Sequence, residues 1–162
     1  MAIKAAMWVH GHNVLPEYVD RLDNIPGAGV NGLRKGWGVT FRGQGHSFNW
    51  FHFSMPTPVI LDDTRPPLKK ISVFYKTNHS KVTAIHLWDG IRKIHEIGNL
   101  NLQGDHTIGT DASNNWIINP PLTIVYGLGI SIGVQFSGFI DTPEPGIFFE
   151  IMFSSAGADY GN

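Results

Sequence analysis

Residues 45–55 read GHSFNWFHFSM and stop at Pro56-Thr57-Pro58. In an extended chain side chains alternate, so Phe48, Trp50 and His52 fall on one side and Asn49, Phe51, Phe53 and Met55 on the other. Large rings on both sides predict a strand that is covered on both faces. The same period of two recurs along the chain. Residues 2–10 make an apolar strand containing Trp8, and 36–42 place Trp37, Val39 and Phe41 in phase. Residues 68–77 set Ile71, Val73 and Tyr75 against Ser72, Phe74 and Lys76, which predicts a β-branched inner face. Residues 82–89 and 91–97 flank Asp89-Gly90, the dipeptide that supplies the positive φ values of a tight hairpin. In residues 129–139, Ile130, Ile132, Val134 and Phe136 alternate with Gly129, Ser131, Gly133, Gln135 and Ser137. Small residues on that outer face admit the close approach of another backbone. Residues 147–155 read as the last strand, short strands are expected at 59–61, 115–118 and 123–126, and residues 156–162 carry no structural signal.

The breaks between these runs are Gly, Pro, Asn and Asp, as turn chemistry requires. Residues 43–45, Gly-Gln-Gly, are expected to turn the 36–42 strand back onto the 45–55 strand as a hairpin, and a turn is expected at 141–146. Residues 12–35 are broken by Pro16, Pro26, Gly27, Gly29 and Gly32 and read as a long connection, of the kind that covers a face or reaches a neighbour. About nine or ten short strands with no long helical period predict an all-β fold. The expected architecture is an antiparallel β-sandwich of jelly-roll type in one domain over residues 1–162, with a small closed barrel as the alternative.

Composition narrows the partners. The chain has 162 residues, a size that buries a core without staples, and contains no Cys, so it is not a disulfide scaffold. A net charge of −1 leaves no basic field for a phosphate backbone, so nucleic acid is not an expected partner. The N-terminal residues lack the charged and apolar regions of a secretory signal, and no run approaches the length of a membrane span. The expectation is a soluble cytoplasmic protein that makes no membrane contact.

Two constellations carry candidate chemistry. His10-Gly-His12 followed by Glu17 resembles part of the first metal-binding motif of the cupins, which are also small jelly rolls. The resemblance implies that His10, His12 and Glu17 are metal ligands of an enzyme. Lys4 and Asn24 stand where that family's flanking glycines belong, and its second motif is not found. The other set follows from phase. If Phe51 and Phe53 face the core with Ile85 and Leu87, then Trp50, His52, His86 and Trp88 share the opposite face. Flat rings stack on the C–H side of a sugar while polar groups bond its hydroxyls, so these four residues, with Asn49 and Asp89 near their edges, are the candidate ligand-binding set. With no Ser nucleophile elbow, no Cys and no compact carboxylate pair, covalent and glycosidase-type catalysis lack their parts, and no cofactor is called for.

Trp8-Val-His-Gly11, Gly36-Trp-Gly, Asn49-Trp-Phe-His52, Pro56-Thr-Pro-Val-Ile60, Asp89-Gly90, Gly104-Asp-His106 and residues 127–133 together resemble an uncharacterised bacterial family of single-domain β proteins. That resemblance implies one domain and no functional residues. The leading expectation is non-catalytic, lectin-like recognition of a glycan or similar small polar ligand. The alternatives are a structural protein that forms a homo-oligomer through its strand faces, and the cupin-like metal-dependent enzyme.

Overall fold

The computed structural model of the chain describes residues 2–137 and 146–161. Thirteen strands run in order among them: β1 (Ile3–His10), β2 (Leu15–Pro16), β3 (Leu22–Asp23), β4 (Leu33–Lys35), β5 (Gly38–Gly43), β6 (Phe48–Ser54), β7 (Leu68–Asn78), β8 (Ser80–Asp89), β9 (Arg92–Ile97), β10 (Asp105–His106), β11 (Asn115–Leu122), β12 (Leu128–Phe136) and β13 (Phe149–Gly161). There is no α-helix among the described residues; two single 3-10 turns lie at Gly11–Asn13 and Val19–Arg21. The strands form two antiparallel sheets packed as a sandwich. The larger has eight strands, with β10, β7, β13, β5 and β3 in order and β1, β11 and β4 attached to β13, β7 and β5. The smaller runs β2-β6-β12-β8-β9.

The core is the set of inward positions that alternation predicts. Phe51, Phe53, Ile85, Leu87, Ile130, Ile132 and Val134 from the five-stranded sheet meet Ile71, Val73, Tyr75, Ile151 and Phe153 from the other, all essentially without exposure. Phe153 sits between Phe51 and Phe53, with ring centroids 5.4 and 5.6 Å away. A fully buried side chain of this size contributes about 1.5–3 kcal/mol, so this layer dominates the energetics of the fold.

Several expectations from the sequence are corrected. Residues 36–42 and 45–55 do not make a hairpin: β5 pairs with β3, β4 and β13, whereas β6 lies in the other sheet between β2 and β12. The intervening residues 43–47 cross between layers. Ser47 Oγ donates to the Gln44 carbonyl, and the Ser47 carbonyl accepts from Phe136 N–H, which ties the crossing to β12. The Asp89-Gly90 hairpin is present, with Gly90 at φ 58°.

Residues 59–61 contribute only an isolated bridge between Leu61 and Thr64, and residues 123–126 form a loop. The tail read as featureless is the second half of β13, paired with β1 along one edge and β7 along the other. Its small residues hide the pattern: Gly157 lies under the Trp8 ring, where a Cβ would come within 2.6 Å. The expected turn at 141–146, except Gly146, and the end of the strand drawn to residue 139 lie outside the described residues.

Candidate functional site

The outer face of the five-stranded sheet is a shallow trough whose floor is β12. Gly129, Ser131 and Gly133 point outward there. The register sets Gly133 between Trp50 and Ala84, Ser131 between His52 and His86, and Gly129 between Ser54 and Trp88. The small residues are what make room for the rings. A Cβ on Gly133 would lie 3.0 Å from both the Phe48 and Trp50 rings, and one on Gly129 would lie 3.6 Å from Trp88 Cβ. Here it is rings that approach the small residues of β12.

Local structure decides which side chains reach this face. In β8 a bulge opposite Gly133 and Val134 switches the phase, so Val82 and Ile85 both point inward although their spacing is odd. Without that extra residue the alternation set by Val82 would turn His86 and Trp88 into the core. In β9 a second irregularity leaves Lys93 opposite Trp88 and Glu96 opposite His86, which puts both charges on the trough side, 2.6 Å apart. Glu17 arrives from the edge: β2 pairs with β6 through Leu15 and Pro16, and Glu17 N–H then bonds the Trp50 carbonyl at 2.8 Å. Pro16 lacks an N–H to donate, which suits an edge strand.

The polar groups form two short chains. His52 Nδ1 lies 2.8 Å from Ser131 Oγ, and His52 Nε2 lies 2.9 Å from Glu17 Oε2, so one imidazole links β2, β6 and β12. Opposite, His86 Nε2 lies 3.6 Å from Glu96 Oε2, which also holds Lys93. Lys93 keeps the Glu96 carboxyl below the usual carboxylate range, and burial, with help from Lys93, pushes His86 below its ordinary value despite Glu96. Trp50 tilts over His86 with centroids 4.4 Å apart, and His86 neighbours Trp88 at 6.4 Å. Glu17, Trp50, His52, His86, Trp88, Lys93 and Ser131 line a cavity of about 330 Å3. His52, Trp88 and Ser131 also line a second cavity of about 270 Å3 beside it.

Trp50, His52, His86 and Trp88 are thus brought together. Asn49 and Asp89 are not among them. Both are buried and in phase with the core. Asn49 Oδ1 accepts from Tyr18 N–H and its Nδ2 donates to the Tyr18 carbonyl, fastening the 12–35 connection to β6. The Asp89 carboxylate accepts from the N–H groups of Val125, Tyr126 and Gly127 at 3.0, 2.7 and 3.1 Å. Burial alone raises the Asp89 pKa, but these three bonds outweigh it and hold the carboxyl below its ordinary value. His10 and His12 stack edge to face at 4.3 Å, with His12 Nε2 on the Lys35 carbonyl, while Glu17 is engaged by His52. The three are not assembled as ligands, and no group of three His, Cys, Asp or Glu suited to a metal ion occurs among the described residues.

Sequence reasoning missed Ser131, Lys93 and Glu96, and gave Glu17 a different role. The signal for Ser131 was its place in the small-residue phase of β12.

Residues 2–143 match a family described as a family of unknown function (DUF6623), and the chain belongs to that family. No curated protein matches it. Among solved structures, an exo-beta-1,3-galactanase from Phanerochaete chrysosporium, crystallised with galactose, is similar at 9% identity and a TM-score of 0.40. The match covers 97% of this chain and 30% of the galactanase chain. A likeness that loose carries no argument about the site.

Proposed function

We propose that the trough of the five-stranded sheet recognises a carbohydrate or a similar polyhydroxylated ligand. The observation that carries this reading is the placement of Trp50 and Trp88 on either side of a floor of Gly129, Ser131 and Gly133, with the Ser131 hydroxyl and the His52 and His86 imidazoles beside them and the Glu17 carboxylate and Lys93 ammonium at the two margins. A sugar ring presents a C–H face that stacks on indole and a rim of hydroxyls that need both donors and acceptors. The His52 and His86 rings stand in one row across the floor, and Ser131, Glu17 and Lys93 around them supply hydroxyl, carboxylate and ammonium groups. Stacking contributes about 1 kcal/mol per ring, so a single trough binds weakly and multivalent presentation raises the apparent affinity.

A printed glycan array probed with the full chain tests the reading. Binding to a defined group of glycans that is weakened in Trp50→Ala and in Trp88→Ala, both still folded by circular dichroism, is the expected result. Hits undiminished by either substitution place recognition elsewhere, and an array with no hits ends the carbohydrate reading.

A further inference from the structure

Ser131, His52 and Glu17 form a continuous hydrogen-bonded line, with steps of 2.8 and 2.9 Å, on the floor of an open trough. Recognition of hydroxyls needs no such line. Three features are those of an activated nucleophile: a hydroxyl on an imidazole nitrogen, a carboxylate on the other nitrogen, and cavity space beside the hydroxyl. Ser131 and His52 line the cavities of about 330 and 270 Å3 alike, so a reacting group has an approach from either side. The serine stands on a strand and not on a strand-to-helix elbow, which is why no sequence motif marks it.

We propose that Ser131 is an acyl-accepting nucleophile, with His52 as its general base and Glu17 as the group that orients His52, and that the trough hydrolyses an ester. With its proton on Nε2, His52 donates to Glu17 and accepts the Ser131 O–H at Nδ1. Ser131 Oγ attacks the ester carbonyl carbon, its proton passes to Nδ1, and the carbonyl π pair moves onto oxygen. Collapse breaks the C–O bond to the alcohol, which leaves with the proton from Nδ1. Water then attacks the acyl-serine carbonyl and gives its proton to Nδ1. The acid departs, and Ser131 Oγ takes the proton back. Glu17 remains ionised throughout and stabilises the transient imidazolium.

β12 is hydrogen-bonded along both edges, so the oxyanion must be met by side chains. The donor-bearing side chains that line the same cavity, beside His52, are Trp50, Trp88, His86 and Lys93, and the oxyanion contact comes from among them. That the ester is carried by a saccharide, as an O-acyl group, rests on the reading under Proposed function; the nucleophile itself does not.

The test is to treat the full chain with a biotinylated fluorophosphonate, map the modified residue by mass spectrometry, and follow p-nitrophenyl acetate hydrolysis in parallel. The expected result is modification at Ser131 and loss of both signals in Ser131→Ala. In His52→Ala the labelling rate should fall by about 10²-fold, the smaller end of a general base's contribution. Glu17→Gln should lower the hydrolysis rate while Ser131 still labels. Trp37→Ala, on the opposite face, should leave labelling intact, and because the labelling probe carries no sugar while the glycan array asks for no hydrolysis, failure of carbohydrate recognition and failure of the nucleophile are read separately. Labelling no greater than in heat-denatured protein, labelling at another residue, or Ser131 labelling undiminished by His52→Ala would each overturn the proposal.

Discussion

The two outer faces of the sandwich both carry tryptophans and both are grooved; one groove lies on the eight-stranded side. It measures about 380 Å3 and is lined by Trp37, Thr40, Lys76, Thr77, Asn78, Glu150 and Met152. What separates the faces is what their polar groups do. In the eight-stranded groove Glu150 is held by the Arg42 guanidinium through Nε and Nη2, Lys76 is paired with Asp105 at 3.1 Å, and Thr77 Oγ1 accepts from Gly104 N–H. Nearby, Lys70 meets Asp159 at 2.6 Å, and Trp8 stacks on Phe74 at 5.6 Å with 14° between the planes. These groups fix strands to loops and to each other.

In the trough the polar groups meet through imidazoles, which exchange donor for acceptor at the cost of one proton. The eight-stranded groove is therefore the better-closed surface and the trough the chemically open one.

The comparison breaks most visibly at its supports. Asp89→Ala removes the acceptor for three backbone N–H groups beneath the Trp88 end of the trough and is expected to cost about 3 kcal/mol in a urea unfolding experiment. Because this carboxyl is depressed below 3.8, the stability it contributes is present above that value and lost as pH falls through the folded pKa. Asp89→Asn should therefore remove part of the acid-unfolding transition. A loss of only a few tenths of a kcal/mol would mean that the trough is not held from below.

Next in size is the ring test. Trp50→Ala and Trp88→Ala should each weaken glycan binding about fivefold, the equivalent of about 1 kcal/mol, whereas Trp8→Ala and Trp37→Ala on the opposite side leave it unchanged. Equal effects from all four would erase the contrast. On the same scale, Asp159→Asn separates the part-exposed Lys70 from a buried carboxylate and should cost about 1 kcal/mol with no change in binding, because the pair only braces strands.

The finest effect is a titration. By proton NMR the His86 ring should titrate below 6.5, since burial and Lys93 disfavour its charged form. Folded stability then declines as pH drops from 6.5 through the folded pKa and is flat below it. His86→Gln should flatten that limb. A midpoint above 6.5 would show that Glu96 governs the ring instead.

Much of this was legible in the sequence, for a physical reason. Alternation in residues 48–54 and 129–136 is unbroken, so the core side and the trough side follow directly from period two. The same phase already placed Asn49 with Phe51 and Asp89 with Leu87, which marks them as inward groups. Their polarity drew attention that their position did not support. The β8 bulge was not legible, because Val82 and Ile85 look like a phase error unless one residue is allowed to stand unpaired. Nor were the layer assignments of β5 and β6, since the Gly-Gln-Gly that suits a hairpin equally suits a crossing between sheets. Ser131 escaped because its partners come from strands distant in sequence: Glu17 and His52 meet it only through the register of β2, β6 and β12.

β13 has a consequence for how the chain acquires its structure. Its first half bonds β5, its second half bonds β1, and its other edge bonds β7 along most of its length, while β1, β5 and β7 do not pair with one another. The strands β1, β5 and β7 of the eight-stranded sheet are therefore joined to one another only through β13, although β4 and β5 close locally. The β8–β9 hairpin closes at short range early, but three strands wait for a partner that is remote from β1 and β5 in sequence. Folding belongs with the slow, non-local β topologies. During that wait the unpaired edges of β1, β5 and β7 are open to the same strand in a neighbouring chain, and crowding of nascent copies, more than any weakness of the finished sandwich, is where this protein is most exposed to aggregation.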